Sequence, residues 1–177
     1  ETTVEHEAKF QIRGRIKARQ IEDLPWGTYA LGPRTTHDLR DTLLDTQERT
    51  LSSQKYGLRI RHDGEQILLT LKAPDKVSGA VHSRKEIEEP ISATQRDDQA
   101  LWPGTITRPL KKLIAEAPLA PLLTIRNRRR TWMLLRDGAE VAELALDRGE
   151  ISAGERSLAM HELEIELKGD GSAEDIE

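Results

Sequence analysis

The 177 residues contain no cysteine. That excludes disulfides, thiolate metal ligands and a thiol nucleophile, leaves oxygen ligands for any metal, and makes a reducing, cytoplasmic setting the expectation. Aromatic residues are 3% of the chain, so the interior has to be built from Leu, Ile, Val and Ala, and there is no evident platform for stacking a base. No apolar run approaches the roughly 20 residues a spanning helix needs, and the N-terminal residues carry no basic-then-apolar signal, so no membrane association is expected. An excess of one charge is also missing. The 27 basic and 31 acidic residues give a net charge of -4, which argues against nucleic acid or an anionic membrane as a partner. Any functional charge must therefore be local.

What the chain does have is charge in order: 33% of its residues are ionisable, and they fall in alternation with apolar ones. In a strand, successive side chains point to opposite faces. Glu5, Glu7 and Lys9 then share one face while Val4, Ala8, Phe10 and Ile12 take the other. The same pattern recurs at 56–62, with Arg59 and Arg61 against Leu58 and Ile60, and at 66–72, with Thr70 and Lys72 against Leu69 and Leu71. At 81–89 it sets Arg84, Glu86 and Glu88 against Ile87. A long strand at 122–136 puts Arg126, Arg128 and Arg130 on one face with Trp132 following in phase. Its return alternates Glu143 and Asp147 with Leu144 and Leu146, and the strand at 158–168 sets Glu162, Glu164 and Glu166 against Leu163, Ile165 and Leu167.

Asp63-Gly64 and Asp137-Gly138 read as two-residue hairpin turns. A short helix at 15–24 ends at Pro25 and Gly27, a further strand runs over 35–46, and Asp45-Thr46 can cap a helical turn at 47–53. A loop falls at 74–79, and 94–119 is a connection carrying one or two short helices. The result is about eight strands in one domain at 1–168, mainly β in an α+β chain, followed by a small acidic tail at 169–177 that is expected to be flexible.

Rows segregated by sign, each in phase with an apolar opposite face, carry the functional argument. If the sheet closes with these rows inward, its lumen is lined by acidic and basic walls, and unpaired buried charges cost several kcal/mol each. Divalent cations would neutralise the carboxylates, and a multiply charged anion would satisfy the Arg and Lys wall, with Arg suited to bidentate phosphate contacts. A polyphosphate with Mg²⁺ or Mn²⁺ meets both needs. For any one row, cross-strand ion pairs on an exposed face remain the alternative. His6 falls in the apolar phase of its strand and is expected on the exterior, without a catalytic role.

Taken together these residues resemble the CYTH domains, or triphosphate tunnel metalloenzymes. Glu5-x-Glu7-x-Lys9 matches the family's N-terminal signature, supported by Leu58-Arg59-Ile60-Arg61, Leu69-Thr70-Leu71-Lys72, Arg84-Lys85-Glu86-Ile87-Glu88, the run from Arg126 to Arg130, Asp147, and Glu162-Leu163-Glu164-Ile165-Glu166. The resemblance implies an eight-stranded antiparallel closed tunnel with a few short peripheral helices. It implies that Lys9, Arg59, Arg61 and Lys72 act on the phosphates, joined in substrate binding by Arg84, Arg126 and Arg128. Glu5, Glu7, Asp147, Glu162 and Glu164 are implied as the metal shell, with Glu86, Glu88 and Glu166 as further acidic tunnel residues.

The implied activity is Mg²⁺- or Mn²⁺-dependent hydrolysis of inorganic triphosphate, or of another triphosphate-bearing small molecule. Thiamine triphosphatase, class IV adenylyl cyclase and a polyphosphate-binding domain without turnover are the alternatives. Many bacterial members continue into a helical CHAD domain, which a longer native chain would carry as its partner.

Overall fold

The computed structural model describes residues 2–78 and 81–176. Its strands are β1 (Thr2–Gln11), β2 (Tyr29–Leu31), β3 (Thr35–Thr46), β4 (Gly57–Asp63), β5 (Gln66–Lys72), β6 (Lys76–Ser78), β7 (Val81–Pro90), β8 (Leu119–Arg136), β9 (Ala139–Ala153) and β10 (Arg156–Leu167). Four short helices accompany them: α1 (Ala18–Glu22), α2 (Thr50–Ser53), α3 (Ala93–Asp97) and α4 (Gly104–Ile114). Neighbouring strands run β1-β10-β9-β8-β3-β4-β5-β7, and β7 pairs again with β1. Eight antiparallel strands thereby close into a barrel, with β2 and β6 as short additions on β8 and β7. Strand β1 performs the closure. Its first half lies against β7, with Glu5 opposite Arg84, and its second half against β10, with Lys9 opposite Glu164.

The apolar phases face outward, so the core lies outside the barrel wall. Under α2 and α4, Leu58, Ile60, Leu69 and Leu71 pack with Leu51, Ile106 and Leu110. Under α1, Trp132, Leu144 and Leu146 pack with Ala18 and Ile21. Burial of this kind is the main favourable term in folding, and here it requires helices laid over the sheet, because the lumen is charged. Asp45 organises the turn into α2, its carboxylate accepting from the backbone N–H groups of Thr46 at 2.8 Å, Leu51 at 2.9 Å and Ser52 at 3.0 Å.

Three details differ from expectation. The first hairpin turn is Gly64-Glu65, because Asp63 still pairs with Gln66 and Gly64 takes the positive φ that a glycine allows. Within the expected loop at 74–79, Lys76–Ser78 forms β6 against β7, and Gly79 lies outside the described residues, as do Glu1 and Glu177. The expected flexible tail is packed down through Ile176. Asp175 accepts from the Tyr29 hydroxyl at 2.9 Å and pairs with Arg136, and Ile176 joins Val81, Leu134 and Val141 in a third apolar cluster. The acidic composition of that stretch reads as disorder only until Arg136 supplies its counter-charge.

Candidate active site

The lumen is a cavity of about 1000 Å³. On most strands the inward phase is the charged one. Glu5, Glu7 and Lys9 of β1 reach it, as do Arg59 and Arg61 of β4, Lys72 of β5, Arg84, Glu86 and Glu88 of β7, Asp147 of β9, and Glu162, Glu164 and Glu166 of β10.

Opposite charges meet across the strands. Lys72 Nζ is 3.0 Å from Glu5 and 2.7 Å from Glu86, and Arg84 reaches Glu5 at 3.3 Å and Glu7 at 3.1 Å. Lys9 Nζ lies 2.7 Å from Glu164 and 3.8 Å from Glu162. Arg61 grips Asp41 with two parallel bonds of 2.8 and 2.7 Å. Arg129 does the same to Asp147 at 2.8 and 2.6 Å, and its Nη2 also donates to Glu164 at 2.6 Å.

The compensation is incomplete on both walls. The buried Arg59 Nε–H has no acceptor among the described residues, and the nearest carboxylates, on Glu88 and Asp41, are 3.6 and 4.0 Å from its guanidinium. Burial and the charge of Arg61 push the Arg59 pKa down, the signature of a cation short of an anion. On the acidic wall, burial, followed by the charges of Glu164 and Asp147, pushes Glu162 up against the pull of Lys9. Burial and a hydrogen bond shared with Glu5 push Glu86 up to about 7 although Lys72 opposes it. Lys72 is close to Glu86 Oε2 but off hydrogen-bond geometry, so that buried oxygen accepts no hydrogen bond. Burial would raise Glu5 as well, but its hydrogen bonds with Glu86 and Lys72 and the charges of Lys72 and Arg84 outweigh burial and hold it at about 2.

One carboxylate oxygen from each of Asp147, Glu162 and Glu164 lies within 4.8 Å of the others. Cross-strand register makes this cluster, since Glu162 stands opposite Asp147 and Glu164 is two residues along the same face. Three hard oxygen ligands on a strongly acidic wall suit a divalent cation such as Mg²⁺, Mn²⁺ or Ca²⁺. The raised Glu162 pKa marks the shortage of positive charge such an ion would relieve.

The sequence model of the CYTH domain matches residues 4–177. The chain belongs to the CYTH family. It is 33% identical over 138 residues to the inorganic triphosphatase of Haemophilus influenzae, a match covering 78% of this chain and 38% of that protein. The chain therefore spans well under half of that relative's length. Among solved structures, it resembles a Hippeastrum protein, HpAC1, described as an adenylyl cyclase candidate with a dominant triphosphatase activity. That match has a TM-score of 0.67 and 22% identity, over 93% of this chain and 80% of the other. An adenylate cyclase candidate from Bacillus halodurans superposes with a TM-score of 0.64 and 21% identity, over 96% and 83%. At these identities the structural matches speak for the CYTH fold alone.

Within this CYTH barrel the expected site residues divide. Lys9, Arg59, Arg61, Lys72 and Arg84 are brought together in the lumen, with Glu86, Glu88 and Glu166 among them. Of the expected metal shell, Asp147, Glu162 and Glu164 form the close cluster, while Glu5 and Glu7 are engaged by Lys72 and Arg84. Arg126 and Arg128 are not in the lumen. Both are exposed on the outer face of β8, and the inward residues of that strand include Asn127 and Arg129.

The reason is Trp132, which shares the phase of Arg126, Arg128 and Arg130 and is buried under α1 with its Nε1–H donating to Glu22 at 3.2 Å. A large ring in that phase makes it the outer one, and reading Trp132 as core would have turned Arg129 inward. Sequence reasoning also missed Asp41, Glu143 and Lys168, all of which line the cavity. Strand β3 gives no signal for Asp41, because its two phases are equally mixed in polarity.

Proposed function

We propose that this domain hydrolyses inorganic triphosphate to pyrophosphate and phosphate with Mg²⁺ or Mn²⁺. The observation that carries the reading is a single lumen in which a buried guanidinium lacks an acceptor while an acidic cluster lacks positive charge. A triphosphate accompanied by a divalent cation supplies both deficits at once. Lys9, Arg59, Arg61, Lys72, Arg84 and Arg129 would hold phosphoryl oxygens, the arginines through paired N–H donors. Asp147, Glu162 and Glu164 would hold the cation, with Glu5 and Glu7 freed from Lys72 and Arg84 as those bases turn to phosphate. The ion's own contribution, once bound, is to neutralise phosphoryl charge and to lower the pKa of water. The inward side chains fix the chain of phosphates in line and exclude bulk water, the positioning on which phosphoryl transfer depends. Tyr56 is the one aromatic ring on the lumen wall among the described residues, which favours an inorganic substrate over one with a base or thiazolium ring.

Phosphate release from tripolyphosphate, ATP and thiamine triphosphate, each with Mg²⁺ and with Mn²⁺, tests this reading. The expected result is a kcat/KM highest for tripolyphosphate and dependent on the metal. A preference of about tenfold or more for either organic substrate would refute it, and unchanged turnover after chelation would refute the metal requirement.

A further inference from the structure

We infer that the outer face of β3, β8 and β9 is a docking surface for linear inorganic polyphosphate. Farther along the outward phase that holds Trp132 under α1, no helix covers the sheet, and Asp38, Arg40, Arg126, Arg128, Arg148 and Glu150 are all exposed. In the strand register Arg40 stands directly opposite Arg126, and Arg128 directly opposite Arg148. Like charges opposed in this way destabilise a sheet.

The carboxylates of the same face give little relief. Asp38 comes no nearer than 3.9 Å to Arg128, with both side chains well exposed, and Glu150 accepts from the Ser152 hydroxyl at 3.2 Å. Among the described residues Arg40, Arg126 and Arg148 make no ion pair within 4 Å. Two opposed arginine pairs on an uncovered face are a cost without return for the isolated fold, and an anion laid across them reverses the sign.

The shape of the patch selects the anion. Strands lie about 4.8 Å apart and same-face residues roughly 7 Å apart, so the four guanidinium groups start from an area about a nanometre across. The partner must bring several oxyanions into that footprint, where arginine forks engage them two oxygens at a time. Polyphosphate carries charge on every phosphorus with nothing between. A nucleic-acid strand spaces its phosphates with sugars and gains its further affinity by stacking bases on aromatic rings, and this face has none. An acidic protein segment would have to immobilise several flexible carboxylate side chains to match it. The surface is separate from the lumen, and the inference stands whether or not the tunnel turns over triphosphate.

The test is fluorescence anisotropy of labelled long-chain polyphosphate with the intact chain, in chelator, at several salt concentrations, with excess tripolyphosphate present to fill the tunnel. Binding should persist under that excess, and Arg40→Gln with Arg148→Gln should weaken it by about tenfold or more and flatten its salt dependence. Tripolyphosphate affinity by calorimetry should not change. Each substitution removes one like-charge opposition, so the double variant should melt no lower than wild type; a lower melting point would overturn the inference. So would polyphosphate binding that excess tripolyphosphate abolishes, or a double variant that binds like wild type. Equal or tighter binding of duplex DNA or of polyglutamate would overturn it too, assigning the face to nucleic acid or to an acidic protein.

Discussion

Glu5 and Glu86 show how one environment divides two chemically identical groups. Both are inward on neighbouring strands and both contact Lys72, at 3.0 and 2.7 Å. Burial and the shared hydrogen bond push Glu86 up to about 7, while Glu5 is held at about 2 by its hydrogen bonds and by Lys72 and Arg84 against the effect of burial. The signs are opposite for stability. Glu86, raised above the ordinary carboxylate value of about 4.5, contributes stability that is complete below that value and is lost as pH rises through about 7. Glu5 contributes stability that is present above about 4.5 and is lost only as pH falls through about 2. Protein held in chelator should therefore melt at a lower temperature at pH 8 than at pH 5.5, and Glu86→Gln should remove much of that slope. A Glu86→Gln variant with the wild-type slope in thermal melts would place the titration elsewhere.

At the scale of elements, β8 decides which arginines matter. Its alternation is plain from residues 122 to 136, and the phase shared by Arg126, Arg128 and Arg130 is readable from the sequence alone. Which phase faces the lumen is not, because a strand with charge on both faces carries no internal label. The label comes from α1, whose Ala18 and Ile21 cover Trp132, so the inward residues include Asn127 and Arg129. Arg129→Ala should lower kcat/KM for tripolyphosphate by about a hundredfold or more, the usual loss when a preorganised charged donor is removed. Arg126→Ala should stay within about twofold of wild type, as an exposed outer-face residue should. Steady-state kinetics of the two variants side by side check this, and the reverse order would mean that the strand faces the other way.

For the whole molecule, closure by β1 brings the ends of the chain into one site. Lys9 near the start lies 2.7 Å from Glu164 near the end, across a register that also sets Glu7 opposite Glu166. A ligand that needs both walls should stabilise the closed barrel more than either component alone, by an amount that grows as RT ln(1 + [L]/Kd). Thermal melts should thus show a larger shift for tripolyphosphate with Mn²⁺ together than the sum of the shifts for each alone. A merely additive response would mean that the acidic and basic walls bind independently. Among the described residues no helix is long and apolar enough to cross a membrane.

The sequence by itself determined the alternation, the approximate number of strands and the sign-segregated rows of β1, β4, β5, β7 and β10, because side-chain direction in a strand follows residue parity. It also carried the family signature in Glu5, Glu7 and Lys9. Only the tertiary structure decided what parity leaves open. It turned Arg129 rather than Arg126 and Arg128 inward, by burying Trp132 under α1. It brought Asp41 to Arg61, and it gathered Asp147, Glu162 and Glu164 within 4.8 Å of one another. It also folded the acidic tail down onto Arg136 and Tyr29. Each of these depends on which strand or helix lies beside another, a property of closure and register that no single segment of the chain contains.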